Sequence, residues 1–336
     1  MKMSDRKKKI LQIVVDEYIN TAVPVSSKSI AEKHLTDVSS ATVRNELSVL
    51  EDEGYLTSPH TSAGRIPTDA GYRAFVDDLL AQEYGDEASD STFDDVRDAA
   101  TRVDELMEQT SAALARLTDC LSVVAAPSLL GSSVKQVSLV SFSDYRILMV
   151  VVTEEGQVLN RSVEFVEPVS AEDLARIQNS LNALLAGHSV NEIRKEEAAR
   201  RAYEAFSSPL ARVIIEELIA CLEEADALRA HRLGLSSLLR KPEFKQTEAA
   251  LPVLQVLEDD TVLMHLFDDV AEGAEPLGVR IGSENGASQL SGVSVVAAQY
   301  GPPDAPGIVA VIGPTRMDYS KVIRAVRAAR SALRDL

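Results

Sequence analysis

A run of short polar residues around one arginine lies near the start of the chain, on one face of a predicted helix. The apolar positions Val43, Leu47 and Leu50 recur at helical spacing and form the opposite, buried face. The outward positions are Ser40, Thr42, Arg44, Asn45 and Ser48. Arginine and asparagine pair with guanine and adenine edges in the major groove of DNA, and short neighbours let a helix enter that groove deeply. These residues leave two interpretations open, a DNA-recognition helix or an ordinary solvated helix face.

A compact loop bounded by Pro59 and Pro67 follows a short strand predicted at 55–57. Its polar residues are His60, Thr61, Ser62 and Arg65. They are placed to contact phosphates or the adjacent minor groove, and Gly64 permits close approach. The alternative is a rigid hairpin tip with incidental polar residues. Lys28 and the lysines at 7–9 are either further phosphate contacts or solvated surface charges.

Local signals predict the helices around this segment. Helices are expected at 5–20, from Ser26 to about His34, at 39–53 and at 69–80. Ser26 and Ser39 are placed to cap two of them, and Gly54 to end the third. Three helices, a strand and a loop within about 65 residues predict a winged helix-turn-helix.

The net charge of the chain is unevenly distributed. The length of 336 residues favours two or three domains. The formal net charge of the whole chain is −18. Residues 1–80 hold ten Lys/Arg and twelve Asp/Glu, so −16 of the net charge lies after residue 80. A nearly neutral module binds phosphates weakly as a single copy, which favours a dimer that engages two half-sites.

The residues show no motif typical of a metalloprotein, a nucleotide-binding enzyme or a membrane protein. The two cysteines, Cys120 and Cys221, are far apart, and neither they nor the five histidines show metal-ligand spacing. No phosphate-binding loop or nucleophile elbow occurs, so we expect no metal, no cofactor and no enzymatic activity. The apolar run from Ile10 stops at Asp16, and no window approaches the length of a membrane span. We therefore expect a cytoplasmic protein without membrane association.

The rest of the chain changes periodicity twice. An acidic linker is expected at 81–95 and a long helix at 95–122. The next predicted elements are three antiparallel strands at 137–140, 146–152 and 157–163, then helices at 170–186, 190–206, 208–231 and 232–239. The last are a strand at 253–258, a short helix at 261–267, a strand pair at 292–298 and 307–312, and a helix at 318–335 that Thr315 is placed to cap. This order predicts an α+β chain in which one antiparallel-sheet domain is interrupted by a mainly helical insertion.

Two motifs at opposite ends resemble those of the heat-inducible transcription repressor HrcA family. The first comprises VSSATVRN at 38–45 and PHTSAGRIPT at 59–68, and the second is IGPTRMDY at 312–319. The resemblance implies a homodimeric repressor of bacterial chaperone operons that binds double-stranded DNA at an inverted-repeat operator. It also implies that the GroEL chaperonin maintains the activity.

The resemblance further implies a division into domains. A winged-helix DNA-binding domain is expected at 1–80, and the acidic linker at 81–95, which is predicted from composition, departs from the family pattern. A GAF-like antiparallel-sheet domain is expected in two parts, at 96–189 with its leading helix and at 281–336, around an inserted dimerisation domain at 190–280. The matching positions assign DNA contacts to Ser40, Thr42, Arg44, Asn45, His60, Thr61, Ser62 and Arg65, and we add Lys28 and Ser39 from the same surface.

Two other functions remain compatible with these residues. One is a winged-helix regulator that binds a small-molecule inducer in its GAF-like domain. The other is a protein-interaction scaffold without DNA contact, which the predicted recognition helix disfavours.

Overall fold

The computed structural model describes most of the chain. The residues left undescribed are 1–2, 60–63, 83–91, 94, 97–102, 128, 130–132, 155, 186–188, 190–208, 228, 246–249, 252, 256–276, 287–289, 303–305 and 335–336. The described chain is a mixed α/β structure with antiparallel sheets.

Four helices and a two-stranded sheet make up the N-terminal module. They are α1 (Asp5–Thr21), α2 (Ser27–Lys33), α3 (Ser40–Asp52), β1 (Leu56–Thr57), β2 (Ile66–Pro67) and α4 (Asp69–Gln82). The predicted helices and the short strand at 55–57 are confirmed. Ser26 and Ser39 cap α2 and α3 as predicted, and Gly54 adopts a positive φ of 81° just after α3. The buried side chains of the first three helices are Ile10, Leu11, Val14, Val15, Ile30, Val43, Leu47 and Leu50.

A five-stranded sheet forms the second part of the structure. Helix α5 (Val103–Thr118) precedes β3 (Leu121–Ala125), and the other strands are β7 (Ala230–Leu233), β8 (Leu277–Ile281), β9 (Val293–Tyr300) and β10 (Gly307–Pro314). The strand order is β7-β3-β10-β9-β8. Associated helices are α8 (Leu235–Arg240), a 3-10 turn at Pro242–Phe244, a second 3-10 turn at Gly282–Asn285, and α9 (Tyr319–Ala332).

A separate three-stranded antiparallel sheet lies between these elements in sequence. It consists of β4 (Val134–Ser143), β5 (Arg146–Thr153) and β6 (Val158–Glu164), in the order β4-β5-β6. Helices α6 (Ala171–Leu185) and α7 (Pro209–Ala227) cover the face that carries Ile147, Met149 and Val151. Their apolar residues form one buried cluster with that face, so this sheet has a core of its own.

The chain divides into two compact units. One contains Met1–Val123, Arg232–Gln299 and Val309–Leu333, and the other contains Val124–His231, Tyr300–Ile308 and Arg334–Leu336. The predicted single interrupted sheet is therefore wrong, since the strands at 134–164 pair with one another and the strand pair at 293–314 belongs to the five-stranded sheet. Alternation identifies a strand but carries no information about which distant strand it joins. The limits of the compact units accordingly differ from the predicted domain limits at 96–189, 190–280 and 281–336.

Several element boundaries also differ from the predictions. The helix predicted at 95–122 ends at Thr118, because Asp119 adopts a left-handed φ of 52° and the apolar run from Leu121 enters the sheet. The helix predicted at 208–231 ends at Ala227 and is followed by β7, and residues 253–255 are helical rather than extended. The helices predicted at 190–206 and 261–267 and most of the linker at 81–95 lie outside the described residues. Within the described ranges, no helix is both long enough and apolar enough to span a membrane.

Candidate nucleic-acid interface

Helix α3 starts with a fixed arrangement of hydroxyl groups. The Ser39 hydroxyl accepts a hydrogen bond from the Thr42 backbone N–H at 3.1 Å, and the two side-chain oxygens lie 2.9 Å apart. These bonds satisfy one of the free amides of the first turn and hold Thr42 against the cap. Ser39 and Thr42 are therefore committed first to the start of α3, where Ser39 is exposed and Thr42 is half-buried.

The two faces of α3 differ as the sequence predicts. Val43 and Leu50 are fully buried and Leu47 is 4% exposed. The side chains of Ser40, Arg44, Asn45 and Ser48 are exposed. Neither Arg44 nor Asn45 forms an ion pair or a side-chain hydrogen bond with another described residue. A guanidinium and an amide are thus presented to solvent from a helix that the core holds in place.

Lys28 lies at the same end of the module as the start of α3. The Ser27 hydroxyl, next to it in α2, is 3.3 Å from the Ser40 hydroxyl, which brings the first turns of α2 and α3 together. The Lys28 ammonium is 3.8 Å from the Glu32 carboxylate one turn later, and both side chains are well exposed. Such a pair stabilises little in water, so the ammonium remains available to a phosphate.

The Arg65 side chain is paired within the N-terminal module. Its guanidinium pairs with the Glu51 carboxylate at 2.6 Å and donates to the Ser58 hydroxyl at 3.2 Å. Its backbone exchanges two hydrogen bonds with Val25, at 2.8 and 2.9 Å. Arg65 therefore ties the base of the 59–67 loop to α3. Since Glu51 and Arg65 are far apart in sequence, no local pattern signals this pairing.

Gly64 is needed for the packing of this loop. A Cβ atom added there would lie 2.4 Å from the Val25 carbonyl oxygen and 2.7 Å from the Pro24 carbonyl carbon. The close approach that this glycine permits is therefore to the chain itself. His60, Thr61 and Ser62, the other predicted loop contacts, lie outside the described residues.

The basic residues of α1 are mostly paired inside the module. Lys7 pairs with Glu53 at 2.7 Å, and Lys8 pairs with Asp78 at 2.7 Å. The hydrogen bond and charge of Asp78 raise the pKa of Lys8. Lys7 and Lys8 thus connect α1 to α3 and α4, which the sequence did not signal, and Arg44 and Lys28 are the exposed cations near the start of α3.

The chain is similar in sequence to proteins of one known family. Residues 104–323 match the family described as HrcA protein C terminal domain. The full chain is 33% identical to the heat-inducible transcription repressor HrcA of Acetivibrio thermocellus, with 100% of this chain and 96% of that protein covered. The chain belongs to the HrcA family. The predicted resemblance is confirmed, and it places the chain among transcription repressors rather than enzymes.

Further relatives span the same length. The heat-inducible transcription repressor HrcA of Frankia casuarinae is 37% identical over 97% of this chain and 96% of its own. A crystal structure of a hypothetical protein at 2.2 Å resolution is 27% identical, covers 99% of this chain and 98% of its own, and superposes with a TM-score of 0.64. The HrcA likeness thus extends over both compact units and is not confined to the N-terminal module.

The second HrcA motif, at 312–319, is a strand-to-helix turn. Asp318 caps α9 by accepting from the Lys321 N–H at 3.0 Å, so the predicted cap at Thr315 is wrong. The Thr315 carbonyl instead accepts a hydrogen bond from the Tyr319 hydroxyl at 2.8 Å. Arg316 donates to the Glu243 carboxylate at 2.7 Å and to the Ile19 carbonyl of α1 at 2.6 Å. This motif therefore contacts the N-terminal module through Arg316.

Proposed function

We propose that this chain represses transcription of chaperone operons of the groE and dnaK type by binding an inverted-repeat operator as a dimer. The observation that carries the proposal is α3, which exposes Arg44 and Asn45 without partners in the described structure while its other face is buried. Family membership supports the repressor role. The three helices and the β1–β2 hairpin have the order of a winged helix-turn-helix, with α3 as recognition helix.

The contacts divide by chemistry. Arg44 and Asn45 are assigned to base edges, since they carry the side chains that pair with guanine and adenine. Ser39, Ser40, Thr42 and the first turn of α3 are assigned to phosphate, where hydroxyls, free amides and the helix dipole favour an anion. Lys28 and the loop residues His60, Thr61 and Ser62 extend the phosphate contacts. Arg65 is assigned a positioning role, because its guanidinium is already paired with Glu51.

The recognition assignment is tested by two alanine variants and one charge-matched control. Arg44→Ala and Asn45→Ala should each weaken operator binding by about 1–3 kcal/mol, with thermal unfolding unchanged because both side chains are exposed. Arg116→Ala removes the same charge from an exposed position of α5, outside the module, and should bind like wild type. Normal operator affinity in both α3 variants would remove α3 from the interface.

The dimer is proposed to form through the second compact unit. The face of the three-stranded sheet opposite its core carries Val140, Phe142 and Val158, which are 48%, 64% and 62% exposed. Val140 of β4 lies opposite Leu148 of β5, and Val158 of β6 lies opposite Val152 of β5. The two side chains of each pair are therefore neighbours across adjacent strands. A large exposed apolar patch is typical of an association surface. We therefore assign self-association to these exposed side chains of residues 134–164, and the dimerisation domain expected at 190–280 stays a prediction.

Sedimentation tests this surface. Phe142→Asp should shift the protein toward monomer and lower its affinity for the full inverted repeat. Val166→Asp, at a 98% exposed apolar residue outside the three strands, is the matched control and should leave the dimer intact. A monomeric wild type that binds the full repeat tightly would contradict the dimer.

The heat response is proposed to depend on a marginally stable DNA-binding state. A charge of −16 after residue 80 opposes compact association, and one or two kcal/mol change the active fraction substantially. A chaperonin that refolds inactive repressor would raise the active fraction until heat-damaged proteins occupy it. GroEL with ATP should therefore increase the fraction of purified protein that binds operator, and mild heating should decrease it. Unchanged binding on heating, together with release by a small metabolite, would favour an inducer-binding regulator instead.

A further inference from the structure

Three groups of contacts join the N-terminal module to the five-stranded sheet, all within the first compact unit. We call them the module–sheet joint, and define it by Asp69, Tyr72 and Arg73 of α4, the Ile19 carbonyl of α1, and their partners in and around the sheet. The partners are Val279, Ser283, Glu284, Arg316 and Tyr319. None of these side chains lies on the outward face of α3.

Arg73 makes the most extensive contact of the joint. Its guanidinium donates to both carboxylate oxygens of Glu284, one of them at 2.8 Å, and to the Val279 carbonyl at 2.6 Å. Glu284 in turn accepts from the Ile281 N–H at 2.9 Å, so the carboxylate is held by the end of β8. A paired, two-pronged arginine–carboxylate contact fixes orientation as well as distance.

Asp69, one turn earlier in α4, makes the second contact. Its Oδ2 atom accepts from the Ser283 N–H at 2.9 Å and from the Ser283 hydroxyl at 2.8 Å. Gly282 has a φ of +53°, and a Cβ atom there would lie 2.4 Å from the same carboxylate oxygen. The sheet side of the joint is thus shaped to admit the Asp69 side chain.

The third contact is formed by the 312–319 motif. Tyr72 and Tyr319 pack with ring centroids 5.7 Å apart, and they are 3% and 0% exposed. Arg316 reaches the last turn of α1 at the Ile19 carbonyl. The three contacts involve two helices of the module and two separate segments of the sheet domain, 279–284 and 316–319, so they restrain rotation of the module about any one of them.

We propose that the module–sheet joint is a positioning interface that sets the direction in which α3 is presented, and that operator affinity depends on its integrity. The inference rests on the proposed function. Two half-sites of an inverted repeat have a fixed phase, and each added base pair turns one half-site by about 35° about the DNA axis. A rigidly held module matches one spacing, whereas a loosened module tolerates several spacings and loses the entropy advantage of preorganisation.

The test uses full-length Arg73→Met, which removes the ion pair with Glu284 and keeps an apolar stem. The matched control is Asp77→Asn, which removes another partner of Arg73 that lies on α4 itself, 3.4 Å away. Binding is measured to a single half-site, to the native inverted repeat, and to repeats whose spacing is changed by one or two base pairs. Arg73→Met should bind the native repeat about tenfold more weakly, in the usual range of coupling between sites.

Two further readouts separate positioning from a general loss of folding. Half-site binding by Arg73→Met should equal wild type, and its preference for the native spacing should be reduced, while Asp77→Asn behaves as wild type in every assay. Asp69→Ala breaks the joint at its other carboxylate. It serves as the second test variant if Arg73→Met lowers the folded fraction, and it should likewise keep wild-type half-site binding and show a reduced preference for the native spacing. Equal weakening on half-site and full repeat, or an unchanged spacing preference in both variants, would overturn the proposal. A wild type that binds neither DNA, or an Arg44→Ala variant with normal half-site binding, would instead overturn the proposed function.

Discussion

Gly64→Ala should displace the 59–67 loop without substituting any residue proposed to contact DNA. The added Cβ would meet three backbone atoms of Pro24 and Val25 at 2.4 to 2.7 Å, where contacts below 3.0 Å require something to shift. Because these atoms belong to the backbone, no side-chain rotation relieves the overlap. The loop must move away from Val25.

The cost follows from the bonds that this movement breaks. Val25 and Arg65 exchange hydrogen bonds of 2.9 and 2.8 Å directly beside Gly64. Losing both, in a site where Val25 is 3% exposed, should cost about 2–3 kcal/mol. Displacement of the loop should also weaken operator binding, since His60, Thr61 and Ser62, which are proposed to contact phosphate, belong to it.

Hydrogen exchange and operator titration measure the two effects separately. The backbone amides of peptides containing Val25 and Arg65 should exchange hydrogen faster in Gly64→Ala than in wild type, and operator affinity should fall. The matched control is Gly292→Ala, because a Cβ atom there has open space and its φ is not positive. Wild-type exchange and affinity in Gly64→Ala would refute the assignment of this close approach.

Three further outcomes are expected from buried and ionised groups. Leu47→Ala should destabilise the module by about 2–5 kcal/mol in denaturant unfolding, because it leaves a cavity under α3, and retained stability would contradict that packing. The hydrogen bond from His34 lowers the pKa of Glu17 below its ordinary value of 4.5. Glu17→Gln should therefore lower the free energy of unfolding at neutral pH by less than about 1 kcal/mol. The difference in unfolding free energy between wild type and Glu17→Gln should disappear as the pH falls through the lowered pKa. A difference that grows in acid would contradict the direction of this pKa shift. Burial raises the pKa of the Cys120 thiol to about 11, so iodoacetamide at pH 8 should label it only after unfolding, and rapid labelling of the folded chain would exclude its burial.

The features that the sequence predicted correctly depend on neighbouring residues. The caps at Ser26 and Ser39, the left-handed Gly54 and the buried face of α3 all follow from positions within one or two turns. The strands at 134–164 follow from alternation for the same reason. Exposure was predicted and is observed for Ser40, Arg44, Asn45 and Ser48, whereas Thr42 is half-buried.

The features that were missed depend on residues far apart in the chain. The pairing of Arg65 with Glu51 of α3 has no signature in the neighbouring residues and was not anticipated, while the predicted DNA contact of Arg65 stays a prediction. Arg73 and Glu284 are separated by 211 positions, and their contact was not anticipated. The partition of strands between two sheets failed for the same physical reason, since a strand's hydrogen-bonding groups are identical whichever partner it joins.

We propose that Arg44 and Asn45 distinguish the bases of an inverted-repeat operator. The most direct measurement is the binding of wild type, Arg44→Ala and Asn45→Ala to operators in which each base pair of the half-site is substituted in turn. We predict that wild type loses about 1–3 kcal/mol at particular positions, and that each variant becomes indifferent at the position its missing side chain contacts. A wild type that binds every substituted operator equally, or variants that keep the full discrimination of wild type, would contradict the claim.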